Sequence, residues 1–187
     1  ICFVGRMHDY PNQQAMLQFC RQTLPLIREQ ISDVKLIIVG ANPGPAVRAL
    51  SNLPGVTVTG SVSDVRPYLV AAAAMVAPLN IARGTQNKIL EAMAMGVPVV
   101  ASSQAAGGID AVLHKHFLVA DTPSEYASAL VKLMRNPSYR QQLAEAGRQR
   151  MLTHHQLHLS MQQLDSIVQQ CVNSHQEKQQ TQREVNL

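Results

Sequence analysis

The sequence predicts an α/β domain built on a doubly wound parallel sheet of about six strands. Short apolar runs alternate six times with longer stretches of helical periodicity, and several of these runs end in glycine. Aliphatic residues and methionine must make the core, because aromatic residues are only 4% of the 187 residues and tryptophan is absent. Parallel strands that helices cover on both faces have this kind of composition.

The first half of the chain is predicted to alternate three strands with three helices. In order, these are strand 1–4, helix 12–29, strand 35–40, helix 46–53, strand 56–60 and helix 65–73. Asn12 follows Pro11 and precedes good helix formers, which predicts Asn12 as the N-cap of the first helix. Pro67 fits the first turn of the third helix, where its missing N–H costs no hydrogen bond.

The second half continues the alternation. In order, the predicted elements are strand 74–79, helix 86–95, strand 97–101, strand 117–119, helix 122–134 and further helix to about residue 172. One stripe of helix 86–95 is predicted to face the core: Ile89, Leu90, Met93 and Ala94. Gly96 is predicted to end this helix. Pro98 fits only near the start of the strand that follows.

Thr122 and Glu125 have the spacing of a capping box, and Pro137 ends the helix that this box opens. Residues 1–172 are therefore predicted to form one domain. The polar, Gln-rich segment 173–187 is predicted to be a frayed or disordered tail. Because Ile1 already stands in a strand pattern, we expect the chain to begin partway through a larger protein.

Charge and rare residues narrow the class of protein. The net charge of +4 favours an anionic ligand, but the basic residues are too scattered to indicate nucleic acid. No run of 18 apolar residues and no signal peptide is present, so we expect a cytoplasmic protein. Neither a zinc site nor a disulfide is predicted from the isolated cysteines and the one histidine cluster: Cys2, Cys20, Cys171, His154, His155 and His158.

Ligands of doubly wound sheets bind at the carboxyl ends of the strands, and the loop that precedes helix 86–95 is the strongest candidate. Gly84, Thr85 and Gln86 would aim free backbone N–H groups into that crevice, which suits an anion. Lys88 and Glu91 can share one helix face with Asn87. Lysine would contact the phosphates of a nucleoside diphosphate, and glutamate would accept hydrogen bonds from its ribose. A solvated Lys/Glu pair on an ordinary amphipathic helix is the alternative.

A family resemblance adds to this interpretation. The segment Ile-Leu-Glu-Ala-Met-Ala-Met-Gly-Val-Pro-Val-Val-Ala over residues 89–101 resembles the donor-site signature of GT-B retaining glycosyltransferases, particularly glycosyltransferase family four. Phe-Val-Gly-Arg at 3–6, Leu-Ile-Ile-Val-Gly at 36–40, Val-Thr-Val-Thr-Gly at 56–60 and Gly-Ile-Asp at 108–110 agree in order. The resemblance covers about residues 1–170 and implies the carboxyl-terminal, Rossmann-like half of a GT-B fold. It is greatest to sugar transferases of bacterial exopolysaccharide clusters, including those that accompany the exosortase system.

The resemblance implies roles for residues at matching positions. Glu91 would bind the ribose of the donor, and Arg6 would neutralise the leaving diphosphate. Lys88 would add a second positive charge at the phosphates. The remaining nucleotide contacts, largely from backbone groups at the base and the diphosphate, are implied at Gly5, Gly60, Val62, Gly84, Thr85, Gln86 and Asn87.

Two positions depart from the family pattern. Arg83 stands where the family has the first glutamate of its Glu–seven residues–Glu motif, so recognition of the sugar is expected to differ. An arginine can pair with the carboxylate of a uronic acid or with phosphate, but it cannot accept hydrogen bonds from hydroxyls. The family's lysine of a Lys-Gly pair is also missing, and Asn12 lies near its place. Lys88 or Arg83 is expected to supply the lost charge.

The function implied is transfer of a sugar from a UDP-, GDP- or ADP-type donor to an acceptor hydroxyl in polysaccharide biosynthesis, without a metal. The acceptor, a sugar or a lipid-linked sugar, would bind an amino-terminal domain outside this chain, so the fragment alone is expected to be inactive. Lipid-linked acceptors also imply peripheral association with the inner face of the membrane. The alternative is a non-catalytic nucleotide- or sugar-phosphate-binding domain. A dehydrogenase is disfavoured because no Gly-x-Gly-x-x-Gly follows the first strand.

Overall fold

A computed structural model describes residues 1–155, 161–162 and 164–174 of the chain. Two compact units are present, Ile1–Arg150 and a unit that begins at Met151. The described residues between 161 and 174 are helical. The predicted tail lies outside the described residues from residue 175 onward, so the predicted boundary at residue 172 stays a prediction.

Six parallel strands form the sheet of the first unit, which confirms the predicted fold class. They are β1 (Cys2–Val4), β2 (Leu36–Val39), β3 (Val56–Val58), β4 (Met75–Ala77), β5 (Val99–Ala101) and β6 (Leu118–Val119). The sheet has the order β3-β2-β1-β4-β5-β6. Since β1 pairs with both β2 and β4, the strand order reverses between β1 and β4. The crevice at the carboxyl ends of these two strands is where doubly wound sheets bind ligands.

The helices follow the predicted order. They are α1 (Tyr10–Gln18), α2 (Leu24–Arg28), α3 (Pro45–Ala49), α4 (Arg66–Val70), α5 (Asn87–Ala94), α6 (Ser103–Ala106), α7 (Pro123–Arg135) and α8 (Pro137–His154). A π-helical segment, Phe19–Thr23, joins α1 to α2, and a 3₁₀ turn, Leu50–Asn52, follows α3. The sequence did not predict α6, a single turn that the hydroxyl of Ser102 caps.

The prediction of Asn12 as an N-cap is wrong. Helix α1 begins two residues earlier, at Tyr10, with Asp9 in the cap position. Pro11 is compatible with this start because the N–H groups of the first helical turn have no acceptor inside the helix. Asn12 therefore lies inside the first turn, and its side chain is buried.

Helix α5 keeps its predicted place but turns a slightly different stripe to the core. Ile89, Ala92 and Met93 are buried, whereas Ala94 is exposed. Gly96 follows the C-cap residue Met95 and ends the helix, as predicted, with a φ of +68°. This arrangement leaves Lys88 free to face the crevice.

The capping box at the start of α7 is confirmed. The Thr122 hydroxyl accepts a hydrogen bond from the Glu125 N–H at 3.2 Å, and the Glu125 carboxylate accepts one from the Thr122 N–H at 3.0 Å. A second backbone N–H, that of Asp121, also donates to this carboxylate. These bonds favour the charged form and lower the pKa of Glu125, so the box keeps its strength until the solution is acidic.

Replacing Thr122 with alanine is expected to lower the free energy of unfolding by about 1 kcal/mol, because an orphan N–H at the start of α7 loses its acceptor. Urea denaturation at pH 7 would measure the change. Ser128→Ala is the control, since Ser128 is exposed in the interior of the same helix and alanine is the better helix former. An equal loss for both variants would contradict the role of the cap.

Candidate ligand-binding cleft

A cleft of about 420 Å³ opens at the crevice between β1 and β4. The loop after β1 forms one wall, and the loop after β4 with the start of α5 forms the other. Four of the predicted site residues line it together: Gly5, Arg6, Gln86 and Lys88. Arg83, Asp9 and Asn12 line the same cleft. Cations thus outnumber carboxylates among the lining residues.

Lys88 reaches from α5 across the crevice to β1. Its Nζ donates a hydrogen bond of 2.6 Å to Asn12 Oδ1 and lies 4.6 Å from the centre of the Phe3 ring. Gly5 leaves room for it, because a Cβ at that position would lie 2.9 Å from Nζ. The Asn12 amide and the face of the Phe3 ring therefore hold the ammonium at the floor of the cleft, in space that Gly5 leaves open.

Burial lowers the pKa of Lys88 from 10.5 to about 8. Desolvation disfavours the ammonium, and the carboxylates of Asp9 and Glu91 offset part of that effect. The side chain is consequently charged at pH 7 but short of counter-charge. A partly buried ammonium next to an open cleft is suited to an anionic ligand.

Arg6 stands at the rim of the cleft rather than in its floor. Its side chain is 74% exposed, and its Nε lies 3.5 Å from Asp9 Oδ2. The other oxygen of this carboxylate, Oδ1, lies 3.2 Å from His8 Nε2. An exposed ion pair of this kind is weak. The guanidinium can therefore leave Asp9 for a stronger partner in the cleft.

The loop before α5 is held by its own hydrogen bonds and by the loop after α6. Gln86 Nε2 donates to the Arg83 carbonyl at 3.2 Å, and Thr85 Oγ1 donates to the Gly108 carbonyl at 3.2 Å. Gly84 has a φ of +63°. The loop thus keeps the turn that places residues 84–86 just ahead of the first N–H groups of α5.

Several predicted residues lie outside the lining of the cleft. Asn87 and Glu91 are exposed on α5, with Glu91 one turn beyond Asn87. Gly60 and Val62 follow β3, two strands from β1, and the Gly60 carbonyl accepts a hydrogen bond from Gly40. The assignment of Glu91 to the ribose, and of Gly60 and Val62 to the base, stays a prediction.

Sequence reasoning missed the contacts of Asn12. Its amide joins two walls of the cleft, since Nδ2 donates to the Arg6 carbonyl at 2.9 Å while Oδ1 accepts from Lys88. Asn12 and Lys88 are 76 positions apart. The pairing of β1 with β4 brings the segments that follow these strands together. A local sequence motif therefore could not predict the contact between Asn12 and Lys88.

Other features of the described part of the chain bear on the predicted chemistry. Cys2, Cys20 and Cys171 are free, and burial raises the pKa of Cys2 and Cys20 to about 11. Among the described residues, histidine, cysteine and acidic side chains form no group of three that could hold a metal ion. None of the helices described has the length and apolar character needed to cross a membrane.

The sequence matches one family model, described as glycosyl transferases group 1, over residues 1–136. No curated protein sequence matches the chain.

Solved structures agree on the fold. The carboxyl-terminal domain of the Francisella tularensis group 1 glycosyl transferase LpcC has a TM-score of 0.66 at 16% identity, with 83% of this chain and 86% of that chain covered. A Thermosynechococcus elongatus sucrose-phosphate synthase has a TM-score of 0.74 at 20% identity, with 92% of this chain and 45% of that chain covered.

Anabaena HepE in complex with UDP has a TM-score of 0.72 at 15% identity, and the match covers 90% of this chain and 48% of that chain. The chain thus spans less than half the length of the HepE and sucrose-phosphate synthase chains. Its sheet and helices correspond to one Rossmann-like half of a GT-B fold.

Proposed function

The chain belongs to the group 1 glycosyl transferases, and from this membership we propose that it forms the half of the enzyme that binds a nucleoside diphosphate sugar donor. The observation that carries the proposal is the Lys88 ammonium, partly buried at the floor of a cleft whose lining is rich in cations. A diphosphate supplies the negative charge that this ammonium lacks. HepE, which shares the fold, holds UDP in one solved structure and UDP with glucose in another.

The proposed binding mode assigns the diphosphate to three groups. Lys88 contacts it from the floor, Arg6 swings away from Asp9 to reach it from the rim, and the backbone N–H groups at the start of α5 face it. Each of these interactions strengthens as the bond to the sugar breaks and charge builds on the diphosphate. The transfer therefore needs no metal in this proposal.

Glu91 is proposed to accept hydrogen bonds from the ribose diol. It lies three residues after Lys88 and is exposed on α5, so a nucleotide whose phosphates meet Lys88 can place its ribose one turn along the helix. The backbone at Gly60 and Val62 is proposed to contact the base. UDP, GDP and ADP are all compatible with these contacts.

The sugar and the acceptor are proposed from chemistry outside the phosphate site. Arg83 lines the cleft next to Gln86 and suits a sugar that carries a carboxylate or a phosphate. The acceptor is proposed to be a hydroxyl of a growing, lipid-linked polysaccharide that a second domain binds at the inner face of the membrane. Retention of the anomeric configuration, as in glycosyltransferase family four, belongs to the same proposal.

A second candidate is a binding domain that has lost catalysis. Two departures from the family pattern favour it. Arg83 stands where the pattern has an acidic sugar contact, and the pattern's lysine is missing, with Asn12 near its place. Such a domain would bind nucleotide or sugar phosphate and support no transfer, even when joined to an acceptor-binding half.

Calorimetric titration of the chain with UDP, GDP and ADP tests the proposed donor site. Binding of at least one nucleotide is expected, and Glu91→Ala is expected to weaken it about tenfold, because the ribose hydroxyls lose a charged acceptor. Glu145→Ala is the control, since Glu145 is an exposed carboxylate on α8 that accepts a hydrogen bond from the Gln149 side chain. Absence of binding by all three nucleotides would overturn the proposal.

Transfer assays separate the enzyme from the binding domain. The chain alone is expected to transfer no sugar, and the same chain within a longer protein that includes an acceptor-binding half is expected to do so. Nucleotide binding without transfer in the longer protein would favour the second candidate.

A further inference from the structure

The buried amide of Asn12 has two partners that make opposite demands. The Arg6 carbonyl needs a donor and the Lys88 ammonium needs an acceptor, and the amide meets them with Nδ2 at 2.9 Å and Oδ1 at 2.6 Å. Asn12 is 7% exposed, so water does not readily replace its amide. Of the side chains of this length, only asparagine offers a donor and an acceptor on one rigid plane.

This amide links two residues that carry the proposed phosphate contacts. Arg6 belongs to the loop after β1, and Lys88 belongs to α5, on the other side of the crevice. The four bonds of the lysine side chain would otherwise let its ammonium take many positions. Asn12, the Phe3 ring and the space over Gly5 together select one of them.

We infer that Asn12 is a positioning residue that holds the Lys88 ammonium at the floor of the cleft, in line with the loop of Arg6, for contact with the donor diphosphate. This inference rests on the proposed donor site and adds to it the residue that preorganises its buried cation. Asn12 itself need not touch the nucleotide. Its effect on affinity therefore passes through Lys88.

A double-mutant cycle on UDP binding tests the inference. Asn12→Leu is expected to weaken UDP binding about tenfold in the otherwise unchanged chain, because the ammonium loses a charge-assisted hydrogen bond and its fixed place. The same substitution in a Lys88→Met background is expected to change the affinity less than about twofold. Thr122→Ala is the control for destabilisation alone, since it weakens α7, a helix that does not line the cleft, and should leave UDP affinity unchanged.

Equal losses in both backgrounds would show a structural role for Asn12 and overturn the inference, as would no loss in the unchanged chain. A chain that binds none of UDP, GDP and ADP would instead overturn the proposed function. The effect of Asn12 on Lys88 can then still be tested by measuring the pKa of Lys88, which needs no nucleotide.

NMR titration of the lysine ¹³Cε signals provides that measurement. The charged groups that face the Lys88 ammonium are Asp9 and Glu91, with Arg6 and Arg83 in the same cleft lining. Asn12→Leu removes an acceptor of the charged form and is expected to lower the pKa of Lys88 further. Asn12→Asp brings a carboxylate to the same place and is expected to raise it, and this variant serves if Asn12→Leu does not fold. A pKa of Lys88 that neither substitution moves would overturn the inference.

Discussion

Replacing Lys88 with methionine is expected to weaken UDP binding about 30-fold at pH 7 and, at the same time, to stabilise the fold. The loss of affinity follows from removing a partly buried cation from the proposed phosphate site, because hydrogen bonds between charged groups are the strong ones. Methionine has a similar length and fills the space over Phe3 without a charge. A residue with a purely structural role would lose stability and affinity together.

The gain in stability follows from the lowered pKa. Lys88 takes up its proton with a pKa of about 8 in the folded chain and 10.5 in the reference state, so at pH 7 the folded chain bears a cost for the buried ammonium. That cost is fully present below pH 8 and disappears as the pH rises to 10.5. Because Asn12 also loses its donor, we expect a net gain of only about 1–2 kcal/mol in the free energy of unfolding.

Urea denaturation and calorimetry at pH 7 and pH 9.5 measure both effects. UDP affinity of the unchanged chain is expected to fall as the pH rises past about 8, since Lys88 then loses its proton, and the fall is expected to be absent from Lys88→Met. Lys132→Met is a matched control, because the Lys132 Nζ lies 4.3 Å from the Tyr139 ring but stands on α7, away from the cleft. Equal losses of affinity in the two variants would contradict the assigned role of Lys88.

Periodicity carried the prediction of the fold because each element of this sheet is signalled locally. The apolar runs gave all six strands, and the Thr122–Glu125 box and Gly96 gave the ends of two helices. The alternation of strands and helices predicted a doubly wound parallel sheet, whereas its order β3-β2-β1-β4-β5-β6 came from the structure. Lys88 could be placed in the crevice from its position after Gly84 and at the start of α5.

Contacts between distant segments could not be predicted in the same way. Pro11-Asn12 resembles a helix start in any local comparison, and only the approach of α5 to β1 brings Lys88 to the Asn12 amide. The π-helical segment Phe19–Thr23 likewise has no local signal that distinguishes it from the helix around it. The sequence therefore predicted where the cleft is, whereas the structure was needed to show what holds its cation.

Replacing Gly40 with alanine is expected to cause the largest loss of stability, about 3 kcal/mol or more in the free energy of unfolding. Gly40 follows β2 at the carboxyl edge of the sheet, and a Cβ there would lie 1.7 Å from the Gly5 carbonyl oxygen. That atom belongs to the backbone, so relief requires β1 and β2 to separate at the point where the loop of the cleft begins.

Gly60→Ala is the matched control for this variant. Gly60 lies two residues after β3, has a φ of +72° and accepts the hydrogen bond of the Gly40 N–H, but a Cβ on it would meet no atom within 4 Å. Gly60→Ala is expected to lower the free energy of unfolding by only about 1–2 kcal/mol, which is the cost of a left-handed conformation for a residue with a side chain. Urea denaturation compares the two, and similar losses would show that backbone conformation, rather than the close approach of Gly40 to Gly5, limits this edge of the sheet.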